Sequence, residues 1–292
     1  MKISDEVLIE ELKNRLDDNK KALFDMSVMN GKLESLNAKL ADSERLKGDF
    51  LSNIRNEINN PLTSIMGSAK QLARGNMDLE TANRVAQMIY NEALDLDFQL
   101  RNIFTAAELE AGETTLGVSN VDIGMLIRDV IDSFSHRVLE KRLIIETRWN
   151  VPQEAGDQLY FKTDAEKLDR ILSNLLANAI EFNKDGKSVK ITVGKEDNRL
   201  NISFEDEGIG IPDEQRENIF ARFRQLDCGA RRSHRGHGLG LSITKALAEM
   251  LDGKVSFSRA DGGGCIFSII MKEAETETGI ETVSEESNEF IF

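Results

Sequence analysis

The chain has 292 residues, of which 40% are hydrophobic and 30% charged, as expected of a globular protein with a solvated surface. It carries 37 Lys and Arg against 51 Asp and Glu, a net charge of −14 that makes nucleic acids and anionic membranes poor partners. No segment offers the roughly 18–20 uninterrupted apolar residues of a membrane helix, and the acidic N-terminus does not resemble a signal peptide. We therefore expect a cytoplasmic protein with reduced cysteines.

Residues 1–45 are predicted to form a coiled-coil signalling helix. Apolar side chains recur at steps of three and four from Ile9 to Leu40, and three asparagines lie on the same seam. Such a heptad pattern indicates that helices pair, with the asparagines fixing the register at some cost in stability. An amphipathic helix packed on its own domain is the alternative.

Residues 46–112 are predicted to form a helical hairpin. One apolar stripe runs from Leu51 to Leu72, a second runs from Val85 to Ala107, and residues 73–78 between them have the composition of a turn. A single hairpin exposes a wide apolar face, which two copies would bury by pairing in a four-helix bundle. The hairpin and the coiled coil therefore predict a homodimer.

Residues 118–272 are predicted to form an α/β sandwich, so that the fold class is multidomain α and α+β. The periodicity predicts helices around 122–139, from Asp164 to about Phe182 and at 239–251, and strands around 142–149, through 189–193, through 200–204 and in a hairpin that turns at 261–264. Residues 273–292 hold seven Glu and no Lys or Arg, which predicts a disordered acidic tail.

The first candidate site is the segment that follows Phe204. Strand alternation places Asp206 on the inward face, where a carboxylate needs hydrogen-bond donors such as the exocyclic amine of adenine. Gly208 and Gly210 would let the backbone approach a flat ring closely. Taken alone, the motif is a weak signal and favours an ordinary Asp-Gly turn.

A second glycine-rich segment contains Gly236, Gly238 and Gly240 and runs directly into a predicted helix. Glycine amides at a helix N-terminus form a cradle for anions. Three arginines just upstream, in an otherwise acidic chain, suggest that the anion is a phosphate. A flexible loop before an ordinary helix is the alternative.

Asn174 and Asn178 are four residues apart on a predicted helix and share a face opposite its leucine stripe. Two amide oxygens on one face can serve a hard cation such as Mg²⁺, with nucleotide phosphates completing its coordination. As an isolated feature, two exposed asparagines have no functional meaning.

The order of these motifs resembles the N, G1, F and G2 boxes of the Bergerat ATP-binding fold, shared by histidine kinases, gyrase B and MutL. The F box corresponds to Ile219-Phe220-x-x-Phe223. The resemblance implies ATP and Mg²⁺ as cofactors and a mobile lid at about 213–237. It assigns the metal to Asn178 with Asn174 beside it, and it implies nucleotide contacts for Asp206, Gly208, Gly210, Phe220, Gly236, Gly238 and Gly240.

Residues 50–62, FLSNIRNEINNPL, resemble the H box of two-component histidine kinases, with Asn56 at the place of the phosphoacceptor histidine. The resemblance then runs from about 40 to 272 and excludes gyrase and MutL, which lack such a hairpin. An imidazole nitrogen has a free lone pair, whereas an amide nitrogen shares its lone pair with the carbonyl group. As written, the chain is not expected to autophosphorylate at the usual site.

The resemblance implies further roles for two neighbours of Asn56. Glu57 matches the family's general base for phosphorylation, which has no task here. Asn60 matches the residue that orients a water for dephosphorylating a response regulator, although it is equally an ordinary surface residue before Pro61. At Glu181, by contrast, many relatives carry Lys or Arg, and an acid beside the phosphates would repel the nucleotide.

Three functions remain open at this point. The chain is a pseudokinase that acts as a regulator-directed phosphatase or pairs with another histidine kinase or sensor protein; or it is an active kinase whose histidine was deliberately changed to asparagine; or its ATP domain is a ligand-sensing scaffold without chemistry. A response-regulator receiver domain is the expected partner. No sensor domain is recognisable, so the chain is a fragment or receives its signal from a partner.

Overall fold

The computed structural model describes residues 5–151, 159–221 and 238–275. Within these ranges the chain forms six α-helices, seven strands and a short 3-10 helix at Asp213–Asn218. The helices are α1 (Asp5–Ala73), α2 (Leu79–Ala111), α3 (Ile123–Ser133), α4 (Ser135–Glu140), α5 (Ala165–Glu181) and α6 (Gly240–Met250). The strands are β1 (Val118–Asp122), β2 (Ile144–Asn150), β3 (Tyr160–Asp164), β4 (Ser188–Glu196), β5 (Arg199–Asp206), β6 (Gly253–Arg259) and β7 (Cys265–Lys272).

The chain divides into two compact units, residues 1–57 and 58–292. The first consists of the N-terminal part of α1, where apolar side chains such as Leu23, Met26 and Leu33 are more than half exposed. Among the described residues, no helix is both long and apolar enough to cross a membrane.

The second unit begins with the end of α1, which a short turn connects to α2. The Asp78 side chain accepts a hydrogen bond from the Thr81 backbone N–H at the start of α2. Gly112 ends the helix in the left-handed conformation, which glycine adopts without steric cost. These caps fix the length of the second hairpin helix.

A five-stranded sheet in the order β2-β4-β5-β7-β6 forms one layer of the α/β region. β2 is parallel to β4, and the remaining neighbours are antiparallel. α5 packs against α3, α6 and β5, while α6 also packs against β6. The core lies between these helices and the alternate inward side chains of the central strands, including Ile191, Ile202 and Phe204. The predicted fold class, helices followed by an α/β sandwich, is confirmed.

Three local predictions require correction. The single helix expected around 122–139 is two helices, because Phe134 leaves helical geometry and buries its ring edge-on against Phe98, with 5.3 Å between the centroids. The separate β1–β3 sheet was not predicted. The disordered tail was predicted from residue 273, but the Glu273 carboxylate pairs with Lys195 at 3.0 Å and its backbone N–H donates to the Asn198 carbonyl. The rest of that prediction, beyond 275, lies outside the described residues.

Candidate nucleotide site

Asp206 ends β5 at the centre of the sheet and is only 3% exposed. Its Oδ1 accepts hydrogen bonds from the backbone N–H of Gly208 at 2.8 Å and of Cys265 at 3.2 Å. Burial raises the pKa of this carboxyl above its ordinary value, although the two backbone bonds oppose the shift. Both of these bonds go to Oδ1, so the geometry allows the second oxygen, Oδ2, to accept a hydrogen bond from a ligand.

The backbone packs around Asp206 so closely that two positions admit only glycine. A Cβ on Gly208 would lie 2.2 Å from the Phe182 carbonyl oxygen, and a Cβ on Gly264 would lie 2.0 Å from the Asp206 carbonyl oxygen. The Gly263-Gly264 turn between β6 and β7 is therefore part of the same pocket. Gly210 has a φ of +69°, in the left-handed region, and lies within reach of Gly264.

α5 carries Asn174 and Asn178, but its environment differs from the predicted one. Asn174 is 2% exposed, and Asn178 is half-buried. The helix packs against the sheet, α3 and α6, so the face that carries the asparagines is largely covered rather than exposed. Asn174 Oδ1 instead accepts a hydrogen bond of 2.8 Å from Asn102 Nδ2 on α2.

The structure brings three of the predicted motifs together around α5. The Ile209 backbone N–H donates to the Phe182 carbonyl at the end of the helix, at 3.4 Å. A Cβ on Gly240, at the start of α6, would lie 3.3 Å from Asn174 Oδ1. Gly238 adopts a φ of +65° just before α6, and Phe220 is half-buried after the 3-10 helix. Gly236 and most of the predicted lid lie outside the described residues.

The donors and acceptors of this region fit a magnesium–nucleotide complex. Among the described residues, Asn174 Nδ2 and Asn178 Nδ2 are buried without a hydrogen-bond partner. Buried polar atoms are nearly always satisfied, and side-chain amides can donate to phosphate oxygens or offer oxygens to Mg²⁺. Such a cation, when bound, would neutralise phosphate charge, and Asn178 and Asn174 are the residues that would hold it.

The side chain of Lys141, which follows α4, reaches the C-terminal end of α5, and this contact was not predicted from the sequence. Lys141 Nζ donates to the carbonyl oxygens of Ile180, at 2.9 Å, and Glu181. A cation at this position is favourable because the helix dipole is negative there. The acid at Glu181, which was expected to repel the nucleotide, therefore has a positive charge beside its backbone.

Of the cysteine and histidine side chains that the structure describes, neither supplies a nucleophile to the site. Burial and the Asp206 carboxylate raise the pKa of the Cys265 thiol to about 12, so this cysteine remains protonated. Cys228 lies outside the described residues. The His136 ring nitrogen Nε2 lies 2.9 Å from an Asp95 carboxylate oxygen, and the same carboxylate pairs with Arg137.

The predicted H-box residues lie on α1. Asn56 and Glu57 belong to the helix, but their side chains are not among those described. The Asn60 side chain is exposed, and Pro61 lies inside the helix.

Comparison with known proteins agrees with this arrangement. Residues 46–112 match the family model of the His Kinase A (phospho-acceptor) domain, and residues 163–275 match the histidine kinase-, DNA gyrase B- and HSP90-like ATPase. The sensor histidine kinase TmoS of Ectopseudomonas mendocina is 29% identical over 86% of this chain. The chain spans only about a quarter (26%) of that relative.

Two solved structures are also similar. Full-length ShkA in complex with AMPPNP shows 28% identity and a TM-score of 0.53, over 77% of this chain and 46% of that one. The histidine kinase ThkA in complex with the response regulator TrrA shows 26% identity and a TM-score of 0.51, over 79% and 64%. With a phosphoacceptor-type hairpin followed by the matching ATPase domain, this chain belongs to the two-component sensor histidine kinases.

Proposed function

We propose that this chain binds Mg-ATP in the pocket around Asp206 and signals as a dimer, with its own autophosphorylation disabled at Asn56. The observation that carries the nucleotide assignment is the buried Asp206 carboxylate, whose Oδ1 is held by two backbone N–H groups. A carboxylate fixed in this way offers its other oxygen to the adenine amine. The complex of ShkA with an ATP analogue supports the same use of this domain.

Calorimetric titration with ATP and Mg²⁺ tests the nucleotide assignment. The wild-type chain should bind, and Asp206→Asn should bind at least about ten-fold more weakly, because an amide nitrogen cannot accept the adenine hydrogen bond. Asp185→Asn, which neutralises an exposed carboxylate in the same domain, is the matched control and should bind like the wild type. Equal affinities for all three chains would remove Asp206 from the site.

The disabled autokinase step follows from the chemistry of position 56. A kinase of this type needs an imidazole nitrogen whose lone pair attacks the γ-phosphorus, while ADP leaves. The amide nitrogen of Asn56 has no such lone pair, because it is delocalised into the carbonyl group. Among the described residues, the only histidine is His136, and its ring is engaged with Asp95.

A remaining activity toward a phosphorylated response regulator would use Asn60. In that step a water oxygen bonds to phosphorus, the bond between phosphorus and the regulator's carboxylate breaks, and inorganic phosphate leaves. The exposed side-chain amide of Asn60 is accessible to a docked partner and can orient the water. The complex of ThkA with its response regulator supports a receiver domain as that partner.

Phosphate release from a phosphorylated receiver domain tests this activity. Asn60→Ala should slow the release that the wild-type chain stimulates, whereas Asn59→Ala, an exposed neighbour on a different helical face, should not. Equal rates for the two variants would exclude the role of Asn60.

The homodimer is supported by apolar side chains that the second unit leaves exposed on its hairpin, among them Met66, Tyr90 and Phe104. Exposed apolar surface of this extent on helices is typical of a four-helix interface. Met66→Asp should shift the chain toward monomer in sedimentation velocity, whereas Met125→Asp, at an equally exposed position on α3, should not. A chain that is monomeric before mutation would contradict the dimer.

A further inference from the structure

Asn102 connects the hairpin to the nucleotide site. It lies on α2, is 6% exposed, and its Nδ2 donates to Asn174 Oδ1 at 2.8 Å across 72 residues of sequence. α2 also packs against α6, whose first residue is Gly240. The Asn174 amide is thus enclosed between the hairpin helix on one side and the start of α6 on the other.

The amides at this contact are incompletely bonded. Among the described residues, Asn102 Oδ1, Asn174 Nδ2 and Asn178 Nδ2 are all buried and have no hydrogen-bond partner. Leaving three polar atoms of one cluster unsatisfied in a protein interior is unfavourable. The cluster therefore points to a polar ligand that completes these bonds when it is bound.

The bond from Asn102 does not prevent Asn174 from meeting such a ligand. A carbonyl oxygen has two lone pairs, so Asn174 Oδ1 can accept the Asn102 N–H and still face a cation or a cation-bound water. At the same time the bond fixes the rotamer of Asn174 and determines which end of its amide faces which neighbour. Groups that orient a metal ligand in this way raise metal affinity by about 10- to 100-fold.

We propose that Asn102 is a positioning residue of the magnesium–nucleotide site, acting from the hairpin by orienting the Asn174 amide. The inference rests on the proposed binding of Mg-ATP. The dependence of nucleotide binding on the divalent cation is then set partly by α2, outside the ATPase domain that carries the other site residues.

The same interface provides a matched control. Asp95 lies on α2 about two turns before Asn102, and its carboxylate pairs with Arg137 at 2.6 Å and with His136 at 2.9 Å. Asp95→Ala therefore weakens the packing of α2 on the α/β region without touching Asn174. It separates a general effect of docking from the specific orientation of one amide.

The experiment measures ADP affinity of the full-length chain by calorimetry, once with Mg²⁺ and once with a chelator. Asn102→Ala and Asn102→Leu, the second of which retains the buried volume, should each lose about ten-fold of the affinity that Mg²⁺ adds. Their affinity without Mg²⁺ should remain within about two-fold of the wild type. Asp95→Ala should retain the full Mg²⁺ effect, and the nucleotide-free unfolding midpoint of each variant shows that it is folded.

Three results would overturn the inference. An unchanged Mg²⁺ effect in both Asn102 variants would show that Asn174 needs no partner. An equal loss in Asp95→Ala would assign the effect to docking of the helix. Absence of ADP binding by the wild-type chain would remove the proposed function as well, whereas the first two results leave it intact.

Discussion

The N-terminal helix and the α/β sandwich differ in how far their apolar side chains are exposed to solvent. Leu23 on α1 is 67% exposed, whereas Ile191 on β4 is fully buried. A helix with an exposed heptad seam depends on a partner helix for most of its stability, whereas the sandwich provides its own core. The core of the sandwich therefore forms within one chain, whereas the exposed apolar side chains of α1 are available to the partner helix of the proposed dimer.

The largest expected effect comes from truncating an apolar side chain on each side of this comparison. Ile191→Ala should lower the free energy of unfolding of the sandwich by about 2–5 kcal/mol, since it opens a cavity in a packed core. Leu23→Ala should leave that transition unchanged and raise the dimer dissociation constant instead. Denaturant unfolding and sedimentation equilibrium measure the two quantities. A similar loss of sandwich stability in both variants would contradict the claim that Leu23 does not contribute to the core of the sandwich.

Glycine-to-alanine substitutions test whether the backbone is closely packed in the sandwich and open on α1. Gly264→Ala should destabilise the sandwich by about 1–3 kcal/mol, because the residue has a φ of +92° and its Cβ would meet the Asp206 carbonyl. It should also weaken nucleotide binding. Gly31→Ala on α1 meets no atom within 4 Å and should stabilise the helix by about 0.5–1 kcal/mol. Thermal unfolding followed by circular dichroism measures whether each substitution stabilises or destabilises the chain. Stabilisation by Gly264→Ala would contradict the close packing at the pocket.

A pH titration of ATP affinity examines the buried carboxylate itself. Burial raises the pKa of Asp206, so acidification protonates it earlier than an ordinary aspartate. Affinity should be constant near neutral pH and fall as the pH approaches the raised pKa, since the protonated group is a poorer acceptor for the adenine amine. As the pH falls through this range, the ATP affinity of the wild-type chain should approach that of Asp206→Asn. A difference that stays constant down to the ordinary aspartate pKa would contradict this reading.

The smallest expected effect concerns Glu207, next to the pocket. Hydrogen bonds from the Ser188 hydroxyl and backbone N–H, together with Lys187, lower the pKa of this carboxyl to about 2 from 4.5. A lowered pKa stabilises the fold above pH 4.5, and the contribution is lost as the pH falls toward 2. Glu207→Gln should therefore unfold at a lower temperature at pH 7, with a gap that shrinks below pH 4.5. Glu140→Gln, at an exposed position on α4, should show no such trend.

Local patterns were sufficient to predict several elements of the sandwich. Alternation placed Val189, Ile191 and Val193 on one buried face of β4, and the same period directed Asp206 inward at the end of β5. The limits of α5 also agree closely with the prediction, because Asp164 caps its first turn through the Lys167 backbone N–H.

Contacts between distant segments could not be predicted in the same way. The Cys265 N–H reaches Asp206 because β7 runs antiparallel to β5, which no local pattern determines. The bond from Asn102 to Asn174 depends on how α2 packs against the sandwich, and Asn102 lies off the apolar stripe of its own helix. Short strands such as β1 and β3 pair with each other across intervening chain and have too few alternating residues to be recognised.

The most direct test of the account is incubation of the purified chain with ATP labelled at the γ-phosphate. The account predicts no incorporation by the wild-type chain, acid-labile incorporation by Asn56→His, and none by the double variant Asn56→His, Asp206→Asn. Acid-labile label on the wild-type chain, or an unlabelled Asn56→His chain that still binds ATP, would contradict the claim that an intact nucleotide site here lacks only its nucleophile.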